Sequence, residues 1–173
     1  AAQSADGRNW LCGLAADGAL TFRIALPERG HAAATHPSRP EAVTFARRPG
    51  TFAIVFDCAT GAVVAKLTAP KGRHFYGHGA FSPDGETLFT TENDYEAGRG
   101  VLGVWRTRGG YTRVGEISSG GTGPHEIRLM AGSDHKPKQL VVDLSPGQVK
   151  VLDVHLETAD ARLVLRGPPS DAE

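Results

Sequence analysis

One spacing constrains this chain more than any other. Gly30-His31, Gly77-His78 and Pro124-His125 recur at 47-residue intervals, and self-similarity at a fixed period of roughly 20–50 residues marks a repeat architecture. The residues after each histidine are also alike. A short small-residue or apolar stretch leads into a turn, then three further strand-like runs separated by turns. In the first unit the expected strands are 32–35, 42–46, 51–57 and 62–68. In the second they are 79–81, 87–91, 100–106 and 111–117, and in the third 126–130, 139–143, 148–154 and 161–165.

The connections carry the residues that tight hairpins need. Pro37 to Pro40, Thr60-Gly61, Ser82-Pro83-Asp84-Gly85, Gly109-Gly110 and Ser145-Pro146-Gly147 either pre-set φ or tolerate positive φ. With 22 glycines and 11 prolines in 173 residues, a helix of ordinary length has little room, and the spacing predicts an all-β chain. Four strands in a unit of about 45 residues correspond to one blade of a β-propeller. The units are therefore 31–77, 78–124 and a divergent 125–173. Residues 1–30 supply half a blade, with strands at 10–14 and 19–25 joined by Asp17-Gly18. About three and a half blades are fewer than the four to eight that close a ring. An open fan exposes strand edges and apolar faces, so the reading is part of a longer protein, or closure by association.

Charge excludes several function classes. Lys+Arg 19 against Asp+Glu 19 gives a net charge of zero, which leaves no basic footprint for nucleic acid or an anionic membrane. Arg47-Arg48 is too short for a nucleic-acid patch. The longest apolar runs, 52–56 and 62–65, are strand-sized and far below the ~18 residues of a membrane-spanning helix. Cys12 and Cys58 cannot build a disulfide scaffold or a four-thiolate zinc site. They read as two small buried apolar residues, or as one bridge in an oxidising compartment. No charged-then-apolar leader opens the sequence, while Ala1-Ala2-Gln3-Ser4 has the small residues typical of a chain after signal cleavage. Nucleophile elbows, phosphate loops, dinucleotide-binding glycine patterns and zinc-finger spacings are missing.

Several stretches also carry a family resemblance. They are Arg29-Gly30-His31, His36-Pro37, and Phe45-Ala46-Arg47-Arg48-Pro49-Gly50-Thr51-Phe52-Ala53. Gly72-Arg73-His74-Phe75-Tyr76-Gly77-His78-Gly79 leads into Ser82-Pro83-Asp84-Gly85. Thr91-Glu92-Asn93-Asp94-Tyr95-Glu96-Ala97-Gly98-Arg99-Gly100 and Gly123-Pro124-His125-Glu126-Ile127-Arg128-Leu129-Met130 complete the set. Over about residues 1–130 these resemble the bacterial family labelled domain of unknown function fifteen-thirteen. The resemblance implies a seven-bladed propeller of the YVTN/quinoprotein-like type, exported to the periplasm and often carrying a twin-arginine signal. Neighbouring genes in that family encode imelysin-type and iron-related periplasmic proteins, an association that implies a link to iron or metal handling. A family member would continue with another Pro-Asp-Gly hairpin where this chain has Ala131-Gly132-Ser133-Asp134-His135-Lys136-Pro137-Lys138. It would also run to about twice this length, with residues 1–30 pairing with the last blade to close the ring.

In a propeller, His31, His78 and His125 fall just before the innermost strand of three successive blades, near one mouth of the central channel. They admit two readings. Each imidazole locks blade register by bonding a neighbouring backbone, or the three converge on a metal, a haem edge or an anion. Glu126 beside His125 either orients that ring, acts as a base, or points outward from its strand. The segment Glu92, Asn93, Asp94, Tyr95, Glu96 and Arg99 reads as a long rim loop rich in oxygen donors. It would serve as a structural loop, a partner or ligand rim, or a cation site. His74, Phe75, Tyr76 and His78 gather aromatic and imidazole groups for blade packing or for stacking a planar ligand.

The expected function is a non-catalytic binding or interaction module with no assigned catalytic residue. Its ligand site would be His31, His78, His125 and Glu126, its cofactor at most a divalent metal, and its partner a small molecule or a periplasmic protein. Neither nucleic acid nor membrane insertion is expected. Two other classes stay open: a lactonase-like propeller hydrolase using a bound divalent cation, and a purely structural scaffold.

Overall fold

The computed structural model describes residues 1–129 throughout, together with the backbone of 130, 138–144, 148–155 and 164–166. Among the described residues there is no helix. The strands form four antiparallel sheets, each a simple up-and-down meander. The first sheet holds β1 (Ala2–Gln3), β2 (Asn9–Leu14) and β3 (Leu20–Leu26). The second holds β4 (Gly30–Thr35), β5 (Glu41–Ala46), β6 (Phe52–Asp57) and β7 (Val63–Thr68). The third holds β8 (Arg73–Phe81), β9 (Thr87–Asp94), β10 (Arg99–Arg106) and β11 (Thr112–Ser118). β12 (Pro124–Met130), β13 (Lys138–Leu144), β14 (Gln148–His155) and β15 (Val164–Arg166) make the fourth.

Burial along the strands explains how the sheets stack. The middle strands β5, β6 and β10 are buried at almost every position, as happens when both faces of a sheet are covered. The last strands β7 and β11 are mostly exposed, with a single buried residue each, so they form the outer wall. Because side chains alternate between faces, one strand feeds two cores. Val43, Phe45, Ala53 and Val55 pack toward the third sheet with Phe75, Phe81, Leu88 and Trp105. Ala42, Ile54 and Phe56 pack toward the first sheet with Leu11, Ile24 and Leu26. Fully buried Phe45, Phe75 and Phe89 each contribute on the order of 2–3 kcal/mol of apolar burial.

The first strands of the four-stranded sheets adjoin one another: β4 packs on β8, and β8 on β12. A histidine also ties the second sheet to the third. The ring of His36 accepts the backbone N–H of Ser38 and Arg39 at Nδ1 (3.2 and 3.0 Å). Its Nε2 lies 3.0 Å from the Gly85 carbonyl and 3.0 Å from Arg39 Nε. Gly85 has φ 72°, and a Cβ there would lie 2.2 Å from the His36 ring. Only glycine fits.

Sheet positions match the 47-residue spacing, but four expectations change. The first sheet has a third strand, β1, pairing with β2 through Ala2↔Trp10. β8 starts at Arg73 rather than residue 79, because two extended segments flank a bulge. Segment 92–99 is not a long loop: β9 and β10 pair out to Asp94↔Arg99, leaving only a tight connection. Neither cysteine is bridged; Cys12 is half-buried and Cys58 exposed. Cys58 lies in the turn after β6, where its backbone N–H bonds the Pro40 carbonyl, so it is not the buried apolar residue the sequence suggested. The interrupted stretch 131–137 and the turn 145–147 lie outside the described residues. Sheet pairing forms no closed ring among the described residues, and no helix there is long and apolar enough to cross a membrane.

Candidate functional site

The three repeat histidines come together, and a shared backbone irregularity brings them there. Register shifts in β4 between Gly30 and Ala33, in β8 between Phe75 and Gly79, and in β12 between Pro124 and Glu126. Each shift contains a histidine. A bulge adds unpaired backbone, bends the strand and re-aims its side chain, so His31, His78 and His125 leave their sheet faces and meet. Gly77 completes the approach: its φ is 108°, and a Cβ there would fall 2.5 Å from His31 Cδ2.

One potential ligand atom from each ring lies within 4.8 Å of the others. His31 and His78 meet edge to face at 5.0 Å between ring centres, with His125 at 5.2 Å from His78 and 6.3 Å from His31. His78 is fixed at its backbone, where the Thr91 hydroxyl donates to its carbonyl at 3.0 Å and accepts its N–H at 3.3 Å. Its Nε2 is buried with no hydrogen-bond partner. Burial, then the nearby arginines Arg47 and Arg29 and His125, push the His31 pKa below 6.5. Burial and the other two imidazoles do the same for His78, against a smaller pull from Glu126. Both rings are thus neutral at pH 7 and offer lone pairs.

The surroundings divide the remaining candidates. Glu126 accepts from Arg128 at 3.0 Å. Tyr76 sets its ring edge against His125 at 6.5 Å, and Arg48 donates to the Tyr76 hydroxyl at 2.6 Å while lying over its ring. His74 is stacked between Tyr76 and Tyr95, at 6.0 and 5.3 Å, with both ring nitrogens buried and unpartnered. Phe75 turns the other way, into the core beside Phe45 and Trp105.

The acidic segment divides between the core, which takes Glu92, and an exposed hairpin tip with Tyr95, Glu96 and Arg99. Glu92 is fully buried and held by Thr90 at 2.9 Å and Arg113 at 2.7 Å. Asn93 lies in β9, its backbone opposite His74. Asp94 takes the Ala97 backbone N–H, Arg99 and Arg73, which holds its carboxyl below the usual range. Glu116, bonded to Arg73 and near Arg99 and Arg113, shares the same cations. Glu96 lies beside Gly72, and Tyr95 is exposed. Internal ion pairs therefore consume most of the oxygen donors that suggested a cation loop.

Sequence reasoning overlooked the arginines. Arg47-Arg48, too short for a nucleic-acid patch, stands beside the imidazoles, and the Arg47 N–H bonds the Arg29 carbonyl at 2.9 Å. A cleft of about 390 Å³ opens next to His31, lined also by Ala1, Ala2, Gln3, Asn9, Arg29 and Gly30. Arginines next to the repeat histidines were the available signal.

Among solved structures, the chain is similar to a protein of unknown function from Bacteroides caccae. The TM-score is 0.51 and the identity 13%, covering 87% of this chain. This chain spans 66% of that protein's length. At that identity the likeness concerns the fold alone. No curated protein matches the chain. Residues 24–144 match the family described as "Protein of unknown function (DUF1513)", so the match runs past Met130, where the resemblance in the sequence faded. With 121 of its 173 residues inside that match, the chain belongs to this family of unknown function.

Proposed function

We propose that the chain is a non-catalytic binding module, part of a seven-bladed β-propeller exported to the periplasm. Its site is a three-imidazole receptor for a late first-row divalent cation. Four-stranded meanders whose first strands adjoin support the propeller reading. One observation carries the metal reading: imidazole nitrogens from three successive sheets lie within 4.8 Å of one another, and the buried Nε2 of His78 has no hydrogen-bond partner. Zn²⁺ at 2.0–2.1 Å from each nitrogen needs donors about 3.3 Å apart, which small side-chain rotations reach. Imidazole suits zinc, copper, nickel and iron. Neutral His31 and His78 favour a metal over an anion, which imidazolium would bind better.

Titration with Zn²⁺ and Cu²⁺ tests the proposal. Wild type binds one ion and its melting temperature rises, because a ligand at a hundred times its Kd stabilises by about 2.7 kcal/mol. His31→Ala/His78→Ala/His125→Ala abolishes the rise. No rise in wild type, or an equal one in the triple variant, overturns the reading.

A further inference from the structure

We propose that the bound cation is taken together with an oxyanion, a carboxylate or a phosphate, held between the metal and Arg29, Arg47 and Arg48. This rests on the metal reading above and names what completes it. Three imidazoles leave one tetrahedral position open and bring no charge to a divalent ion. Glu126, next to His125 in the chain, is engaged by Arg128, and Glu28 lies toward Gly50. The neighbourhood adds further positive charge. Arg29 lines the cleft with His31, Arg47 is joined to it through the backbone, and Arg48 reaches His125 through Tyr76.

These arginines differ from most others in the molecule. Arg39, Arg73, Arg99, Arg113 and Arg128 each sit on a carboxylate. Arg29, Arg47 and Arg48 are exposed and have no carboxylate partner among the described residues. Guanidinium matches carboxylate and phosphate in a bidentate fork. The cleft also presents the amides of Gln3 and Asn9 and no acidic side chain. Its volume of about 390 Å³ lies in the range of small-molecule sites. A cation, uncompensated guanidiniums and a cleft free of acids call for an anion that bridges them.

The experiment loads the full chain with Cu²⁺ and titrates it with oxalate, citrate or phosphate. The copper visible band and the heat of binding are monitored, and dialysis checks that the metal stays bound. Oxyanion binding shifts the band, runs at least tenfold tighter than to the metal-free protein, and weakens tenfold or more in Arg29→Gln/Arg47→Gln/Arg48→Gln. That triple variant keeps its affinity for Cu²⁺. The single variant Arg47→Gln repeats the effect at smaller size. Whichever of the carboxylates or phosphate responds at lower concentration identifies the class. If copper loads but no anion moves band or heat, or the arginine variants bind anion as wild type does, the inference falls while the metal site stands. If copper does not load, the metal reading fails first.

Discussion

The third sheet contributes to two clusters of ionisable groups, and they are solved in opposite ways. Around Glu92 both carboxylate oxygens have partners inside the chain, and of the surrounding groups the Arg113 Nε alone is buried without one. Thr90 donates to one carboxylate oxygen, Arg113 to the other, and the Trp105 indole N–H donates to Thr90 at 3.0 Å. The Arg113 guanidinium also lies over the Trp105 ring. Gly103 makes room, since a Cβ there would sit 1.9 Å from Glu92 Oε1. Burial raises the Glu92 pKa, with Arg113 and Thr90 opposing it. Around His78, in the same sheet, backbone bonds fix the residue but its Nε2 meets no partner. Burying a polar group without a partner costs free energy. A carboxylate satisfied on both oxygens by its own chain is structural. A cluster that is positioned but incomplete is where a ligand belongs.

Breaking the completed cluster has the largest effect. Arg113→Ala strands a buried carboxylate, and such a loss costs about 3–5 kcal/mol, read by urea unfolding. Replacing both partners, Glu92→Leu/Arg113→Leu, removes the stranded charge and recovers much of that loss. A double variant as unstable as Arg113→Ala shows that packing, not charge, dominates there. By contrast, His31→Ala leaves unfolding in the absence of metal within about 0.5 kcal/mol, as expected of an exposed position.

The next effect is one of pH. Burial lowers the folded-state pKa of His31, His74 and His78 from 6.5, with neighbouring cations adding to it. Above 6.5 these rings are neutral in both states and stability is whole. Below it the unfolded chain takes up protons that the folded rings refuse, so stability falls as pH drops from 6.5 toward the folded values. Melting temperature therefore declines as pH drops below 6.5. His31→Ala/His78→Ala flattens most of the slope and His74→Phe removes more. An unchanged slope in these variants places the loss elsewhere. Metal affinity declines over the same interval, since a protonated ring donates no lone pair.

How far the sequence reveals this arrangement is explained by the same contrast. The sheets were legible because a turn residue is dictated locally, as in Ser82-Pro83-Asp84-Gly85, and because a buried strand such as β10 reads as an apolar run. The even spacing of His31, His78 and His125 was legible for the same reason. Their convergence was not, because it depends on bulges, and a bulge arises from pairing with another strand rather than from its own residues. Glu92 misled for a related reason. Beside Asp94, Tyr95 and Glu96 it looks like part of a solvated loop, yet alternation turns it inward, onto Arg113, 21 residues away. Arg47 and Arg48 could be counted in sequence, but their lack of an acidic partner shows only in the structure.

The smallest effect sharpens the boundary of the site. Glu126 and Arg128 form a pair on the surface, and such pairs contribute at most about 1 kcal/mol. Glu126→Gln therefore changes unfolding by about 0.5 kcal/mol or less. Glu126 also exerts a weak pull on the His78 proton, so its charge reaches the imidazoles, though through a medium that screens it. Removing it lowers Zn²⁺ affinity by less than about threefold, measured by competition with a chelator. A drop beyond tenfold would make Glu126 a direct ligand. The fourth coordination position would then be filled from within, Arg128 would lose its partner on metal binding, and the anion would have no place on the ion. The arginines beside the cleft would then have to be explained without the metal.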